Sequence, residues 1–303
     1  MEVVAGTGEP GYSGDGSLAV DACLNNPFDL AFAPDGSVVF SDTFNHCLRR
    51  IDAVTGKIST LCGTGVSGFS GDGGSAVSAR LNQPYGVVID RSGNVYFADR
   101  LNARVRMVDT VGIVSTLADD LVEPNGLALD PGETKLFIAD VAGHKVRVVD
   151  LQSGAIETFA GTGEGRHFGD GGPAREAGLF GARAVAFAPD GSLYVMERGG
   201  SCIRRIRDGI IETVAGTGAR GYAGDGGDAK LAVFDAPKEM AVDRAGNIFV
   251  VDTENNAIRR IDAGSWIVTT IASGLARPHG ALVAPDGGVL VADSEHHQVI
   301  KIG

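Results

Sequence analysis

The chain has 303 residues, of which 44% are hydrophobic and 21% charged, a globular composition with enough length for a substantial core. Its net charge of −12, from 26 basic and 38 acidic residues, excludes a general nucleic-acid surface, which needs basic groups against phosphate. No apolar run is long enough to span a membrane, and "MEVVAGTG" lacks the basic and apolar segments of a secretory signal.

In chain order, the first predicted strand lies in "EVVAGTG", residues 2–8, which matches "ETVAGTG" at 212–218. A Gly-rich phrase follows, "GTGEPGYSGDGSLAV" from Gly6, and it returns from Gly63, Gly161 and Gly216. Between these phrases run six similar segments: "NPFDLAFAPDGSVVFSDTFNHCLRRID" from Asn26, then others from Gln83, Glu123, Gly181, Ala236 and Arg277. Each holds three short apolar runs, the first two joined by a polar turn such as "PDGS", which is a hairpin signal. A fourth run such as "IETVAG" follows every segment except the last. Four strands per unit, repeated radially, predict an all-β, six-bladed β-propeller of four-stranded blades, a single domain over 1–303. The last blade lacks its fourth strand, and "EVVAGTG" is expected to supply it, closing the ring. Anchor positions Pro27, Pro84 and Pro124 have counterparts at Ala182, Pro237 and Pro278, so blades 1–3 repeat as blades 4–6.

With strands lettered a to d outward, each Gly-rich insert is a d-to-a connection, so all four share a face with the b-to-c loops. Each ends in small residues at helical spacing (Ala19, Ala22; Ala76, Ala79), which predicts one short turn. Asp15, Asp72, Asp170 and Asp225 recur identically, and four equal ligand loops are less expected than a repeated piece of rim architecture. The same logic assigns the strand-b Asp residues (Asp42, Asp99, Asp140, Asp252, Asp293) and strand-c Arg residues (Arg49, Arg106, Arg147, Arg204, Arg259) to the scaffold, paired between blades. Blade 4 departs, with Glu197 and Arg198.

Positions that differ among the blades are candidates for function. The residue after the anchor reads Phe28, Tyr85, Asn125, Arg183, Lys238 and His279; the next position carries Asp29 and Glu239. Aromatic walls with Arg, Lys and His predict a pocket for a small anionic organic molecule, with Arg198 and Glu197 at its edge. His279, with His46 and His297 on the adjoining loops, is the best acid–base neighbourhood, and Glu239 or Asp29 is its expected partner. His144 and His167 read as solvated loop histidines. The four cysteines lack metal-ligand spacing and are too few for a disulfide scaffold, so reduced thiols in a cytoplasmic protein are expected.

The units resemble NHL repeats; "GNIFVVDTENNAIRRID" is similar to that family's consensus. Two enzymatic groups of similar propellers add expectations. Peptidyl-amidating lyases hold zinc through His residues that follow the anchor Pro, and here Pro278–His279 matches. Gluconolactonase and senescence-marker propellers hold axial calcium, and "PNGLALD" at Pro124–Asp130 is similar to their Asn-bearing segment. The resemblance thus implies calcium on Asn125, Glu239 and Asp29 ahead of zinc, although Arg183 and Lys238 oppose a cation. Two functions are expected: a lactonase-like hydrolase or lyase acting on a small molecule, or a non-catalytic scaffold that binds a protein or peptide.

Overall fold

The structure, a computed structural model, describes residues 1–303. It is an all-β, six-bladed β-propeller. Six antiparallel sheets each carry four strands in meander order, and blade 2 gains a two-residue strand, Gly74–Ser75, on its outer edge. Its helices are single three-residue 3-10 turns, so no helix is long and apolar enough to cross a membrane.

The chain divides into two compact units of three blades. The first, Met1–Pro124 with Pro278–Gly303, holds blades 6, 1 and 2. Blade 1 is Pro27–Phe32, Val38–Asp42, Cys47–Ile51 and Ile58–Cys62. Blade 2 runs from Pro84–Ile89 to Ile113–Ala118. Blade 6 is Gly280–Val283, Val289–Asp293, Gln298–Ile302 and, as expected, Glu2–Ala5, whose Val3 pairs with Ile300. Leu30, Phe40, Leu290 and Val299 pack into one core here, and Val39, Leu81, Val87 and Phe97 into another. Fully burying each such side chain contributes about 1.5–3 kcal/mol.

The second unit, Asn125–Arg277, holds blades 3, 4 and 5. Blade 4 is Ala182–Phe187, Leu193–Glu197, Cys202–Arg207 and Ile210–Ala215. Blade 5 runs from Glu239–Val242 to Val268–Ser273. Val146, Leu179, Val195 and Ile206 form one core of this unit, and Met196, Phe234, Val250 and Ile261 another. Successive side chains point to opposite faces of a strand, and the unbroken burial of Val38–Asp42 and Leu193–Glu197 means that both faces of these short strands are covered.

The Gly-rich inserts clamp their own blades. Asp15 accepts from the buried Arg49 guanidinium at 2.8 Å with one oxygen and from the Thr60 N–H at 3.1 Å with the other. Asp72 holds Arg106 at 2.7 Å, Asp170 holds Arg204 at 2.6 Å and Asp225 holds Arg259 at 2.8 Å. The expected pairing of strand-b Asp and strand-c Arg between blades is corrected. Arg49 meets Asp42, and Arg259 meets Asp252, within one sheet: each Arg lies opposite the residue two before the Asp, Phe40 and Val250, so the pair shares a side of the sheet on a diagonal. The first Gly of each "GDG" has no alternative. Gly14 sits at φ +93, and a Cβ there would lie 2.7 Å from Ala22 Cα. Gly71, Gly169 and Gly224 are crowded in the same way by Ala79, Ala177 and Ala232.

Candidate functional site

The residues that follow the anchors are buried in both units. In the first unit, Phe28 and His279 stack at 3.9 Å with ring planes 8° apart, and Tyr85 packs 4.7 Å from Phe28. Ser294 Oγ donates to the Pro27 carbonyl at 2.6 Å, so it accepts from His279 Nδ1 at 3.0 Å. That fixes the proton on Nδ1 and makes Nε2 the basic nitrogen of His279. Asp29 is used structurally: Oδ1 accepts the Leu30 N–H at 2.8 Å and Oδ2 the Val87 N–H at 2.9 Å. Burial pushes its carboxyl up to about 7 in spite of these bonds.

In the second unit, Arg183 donates through Nη1 to Asn125 Oδ1. Lys238, 3% exposed, reaches Glu254 at 3.3 Å, and Arg277 takes the same carboxylate at 2.8 Å. Burial, and then the cationic neighbour Arg277, pull Lys238 down to about 7; Glu254 opposes this and Arg183 adds to it. Glu239 Oε1 accepts the Met240 N–H at 3.0 Å. This donor set does not suit calcium, because a guanidinium already occupies the Asn125 oxygen that the ion needs. Arg277 and Ser294 were not among the expected site residues: Ser294 occupies a scaffold-like loop position, and Arg277 lies just before the anchor.

His46 and His297 do different work from the acid–base role expected of them. Each follows a 3-10 turn at left-handed φ, and each Nδ1 accepts a backbone N–H at the approach to the next blade: His46 from Gln83 and His297 from Asn26, both at 3.2 Å. His144 does the same for Gly181 at 3.3 Å, and Asn256 Oδ1 for Arg277 at 2.9 Å. A nitrogen spent on holding two blades together is not available as a base.

Glu197 and Arg198 also move away from the expected substrate edge. Arg198 is exposed, and its N–H donates to the Gly181 carbonyl. Glu197 is fully buried and takes the Asp place of its blade, with Oε1 accepting from Arg204 at 3.0 Å. Its Oε2 lies 2.9 Å from His167 Nδ1. His167 is therefore more than an exposed loop residue; it also lies 3.6 Å from the Cys202 sulfur. Burial, and then the Glu197 charge, push the Cys202 thiol well above its ordinary value. The sequence signal was the joint departure of blade 4. His167 stands where the other inserts carry Tyr12, Phe69 and Tyr222, and Gly200 stands where the loops of blades 1, 2 and 5 carry Asn45, Asn102 and Asn255.

Among known families, the NHL repeat matches residues 275–302 and the Teneurin NHL domain matches residues 52–120. The chain is 30% identical over 307 residues to the Arabidopsis thaliana protein SUPPRESSOR OF QUENCHING 1, chloroplastic; the match takes in 91% of the chain and 29% of that protein. It thus spans under a third of that curated relative. Among solved structures, it is similar to an auxiliary nutrient binding protein from Bacteroides thetaiotaomicron VPI-5482, with a TM-score of 0.74 and 16% identity over 100% of this chain and 75% of that one. A gluconolactonase from Xanthomonas campestris gives a TM-score of 0.66 and 14% identity over 92% of this chain and 86% of that one. At such identities the two structures speak for the fold alone.

Proposed function

Because the chain belongs to the NHL-repeat β-propellers, we propose that it is a single-domain propeller that takes a small anionic organic molecule and acts on it as a lactonase-like hydrolase or a lyase. The observation that carries this reading is Lys238. A lysine that burial and like charge hold at about 7, even with Glu254 beside it, gains further stabilisation of its charged form from an anion. Arg183 supplies the second cation, and Asn125 orients it. His279 is the acid–base residue of the proposal, on the strength of the tautomer that Ser294 imposes. Phe28 and Tyr85 are apolar walls beside it, and Glu239 is the carboxylate partner in the Arg183 and Lys238 group. The four cysteines are free, in keeping with a reducing, cytoplasmic setting.

A screen of lactones and carboxylate esters against wild type, His279→Ala and Lys238→Met tests it. Turnover that is lost in H279A, with a raised KM in K238M, supports both roles. Equal turnover by wild type and H279A removes His279 from the reaction.

A second reading, a scaffold for a protein partner, draws on a different observation. The inserts leave Leu18, Val66, Val77 and Leu231 about half exposed or more. Peptide capture that survives Lys238→Met and is lost in Leu18→Glu/Val77→Glu supports that reading over the enzymatic one.

A further inference from the structure

Blade 4 is the only blade whose insert carries a histidine facing a carboxylate and a thiol. His167 Nδ1, Glu197 Oε2 and Cys202 Sγ lie within 4.8 Å of one another. Glu197 and Cys202 are buried, and His167 is exposed. The cluster borders a cavity of about 250 Å³ that His167, Phe180, Gly200, Cys202 and Thr213 help to line. We propose that these three side chains form a site for zinc or a similar divalent transition metal, with a fourth position opening into that cavity.

The donor types and spacing carry the proposal. One nitrogen, one sulfur and one carboxylate oxygen are ligands that zinc prefers and calcium does not. With zinc–sulfur and zinc–nitrogen bonds of about 2.3 and 2.0–2.1 Å, a tetrahedral edge between S and N is about 3.5 Å. The observed separation of Cys202 Sγ and His167 Nδ1 is 3.6 Å. The outer groups are also in place. Arg204 holds Glu197 through Oε1 at 3.0 Å, and Oε2, which accepts the Phe180 N–H at 3.1 Å, faces the histidine with its other lone pair. His167 Nε2 faces Thr213 Oγ1 at 3.3 Å and Asp170 Oδ2 at 3.9 Å, the kind of partners that orient a ligating imidazole. Gly200 removes the side chain that Asn45, Asn102 and Asn255 place against the aspartates of their blades. Where those blades close the corner with an amide, blade 4 leaves it open.

Loading is balanced as follows. Without metal, His167 Nδ1–H donates to Glu197. On binding, Nδ1 gives its lone pair to the metal and the imidazole proton sits on Nε2. The Cys202 S–H bond breaks, the metal–sulfur bond forms, and one proton leaves to solvent. Three protein ligands with an open fourth position suit a site that also holds water or an exchangeable small ligand.

The sister blades supply the variants. His167→Tyr copies Tyr12 and Tyr222, which lie over Arg49 and Arg259, and Cys202→Ala copies Ala257. Purified wild-type protein is titrated with Zn²⁺ and Co²⁺, following bound metal, proton release and visible absorption. The expected result is one equivalent of metal, one proton released, and a thiolate-to-cobalt charge-transfer band. Both variants should lose the band and bind more weakly by more than the roughly 10–100-fold that an outer-shell change costs. Wild type that retains no metal on dialysis, a cobalt spectrum without the thiolate band, or full binding by either variant overturns the site. The wild-type cobalt spectrum decides the question even if a variant fails to fold.

Discussion

His46 Nδ1 accepts the backbone N–H of Gln83, so the ring that ties blade 1 to the approach of blade 2 works only while that nitrogen is unprotonated. His297 makes the same tie to Asn26. Burial holds both imidazoles below their ordinary value. The unfolded chain therefore takes up protons first. The stabilisation is complete above the unfolded value of about 6.5 and is lost as pH falls from there through the lowered folded values. We expect Tm to drop on acidification through this window, and His46→Asn/His297→Asn, copying Asn256, to drop less. Asp29, Asp42 and Asp99, with raised values of about 7, 6 and 6, act in the opposite sense, so the informative quantity is the difference between the two curves. Parallel curves for wild type and the double variant would show that the latches do not titrate.

The clamp on Arg49 has an inner and an outer half. Asp42 is fully buried, whereas Asp15 is 49% exposed at its side chain. Asp42→Ala leaves a guanidinium without its buried partner, and we expect a loss of about 3–5 kcal/mol. Asp15→Ala removes a solvated partner and should cost about 1–2 kcal/mol. Urea denaturation of both variants checks the order; a larger loss at Asp15 would place the stability of the blade in its insert.

Lys238 offers a pH test of anion binding. An anion raises its value from about 7, so the bound state holds a proton more firmly than the free one. Affinity is then greatest below pH 7 and declines as pH rises through that value. Titrating methanesulfonate, an anion that stays ionised throughout, from acid to alkaline pH should show this decline in wild type and a flat profile in Lys238→Met. A profile shared by both proteins would assign the titration to another group.

Removing residues 1–8 takes Glu2–Ala5 from blade 6 and uncovers the edge strand Gln298–Ile302. We expect Tm to fall by well over the roughly 2–4 °C that 1 kcal/mol makes in a mid-sized domain, along with concentration-dependent association through the bare edge. An unchanged melting temperature without association would show the strand to be dispensable.

The scaffold was legible because it is written six times. The match of "EVVAGTG" to "ETVAGTG" was enough to assign Glu2–Ala5 to the last blade. The polar chemistry was less legible, since pairing depends on which side of a sheet a residue faces and how long it is. Asp42 and Arg49 were assigned to the scaffold correctly, but their pairing within one blade needed the strand register. His46 and His297 looked like catalytic residues because a histidine near another histidine suggests proton transfer; their left-handed backbone turns the rings onto N–H groups instead. His167 was discounted as a single residue, and only its distance to Glu197 and Cys202, 30 and 35 positions away, gives it meaning.

The sharing of one sheet by Glu2–Ala5 and Gln298–Ile302 also sets an order of events during synthesis. Blade 1 contains only neighbouring stretches of chain and can assemble soon after its last strand leaves the ribosome. Blade 6 has to wait until Gln298–Ile302 has been made, and Glu2–Ala5 stays unpaired until then. The long loop that closes last is the slow step that topology imposes, and that early strand is the segment a nascent chain has most need to keep from other partners.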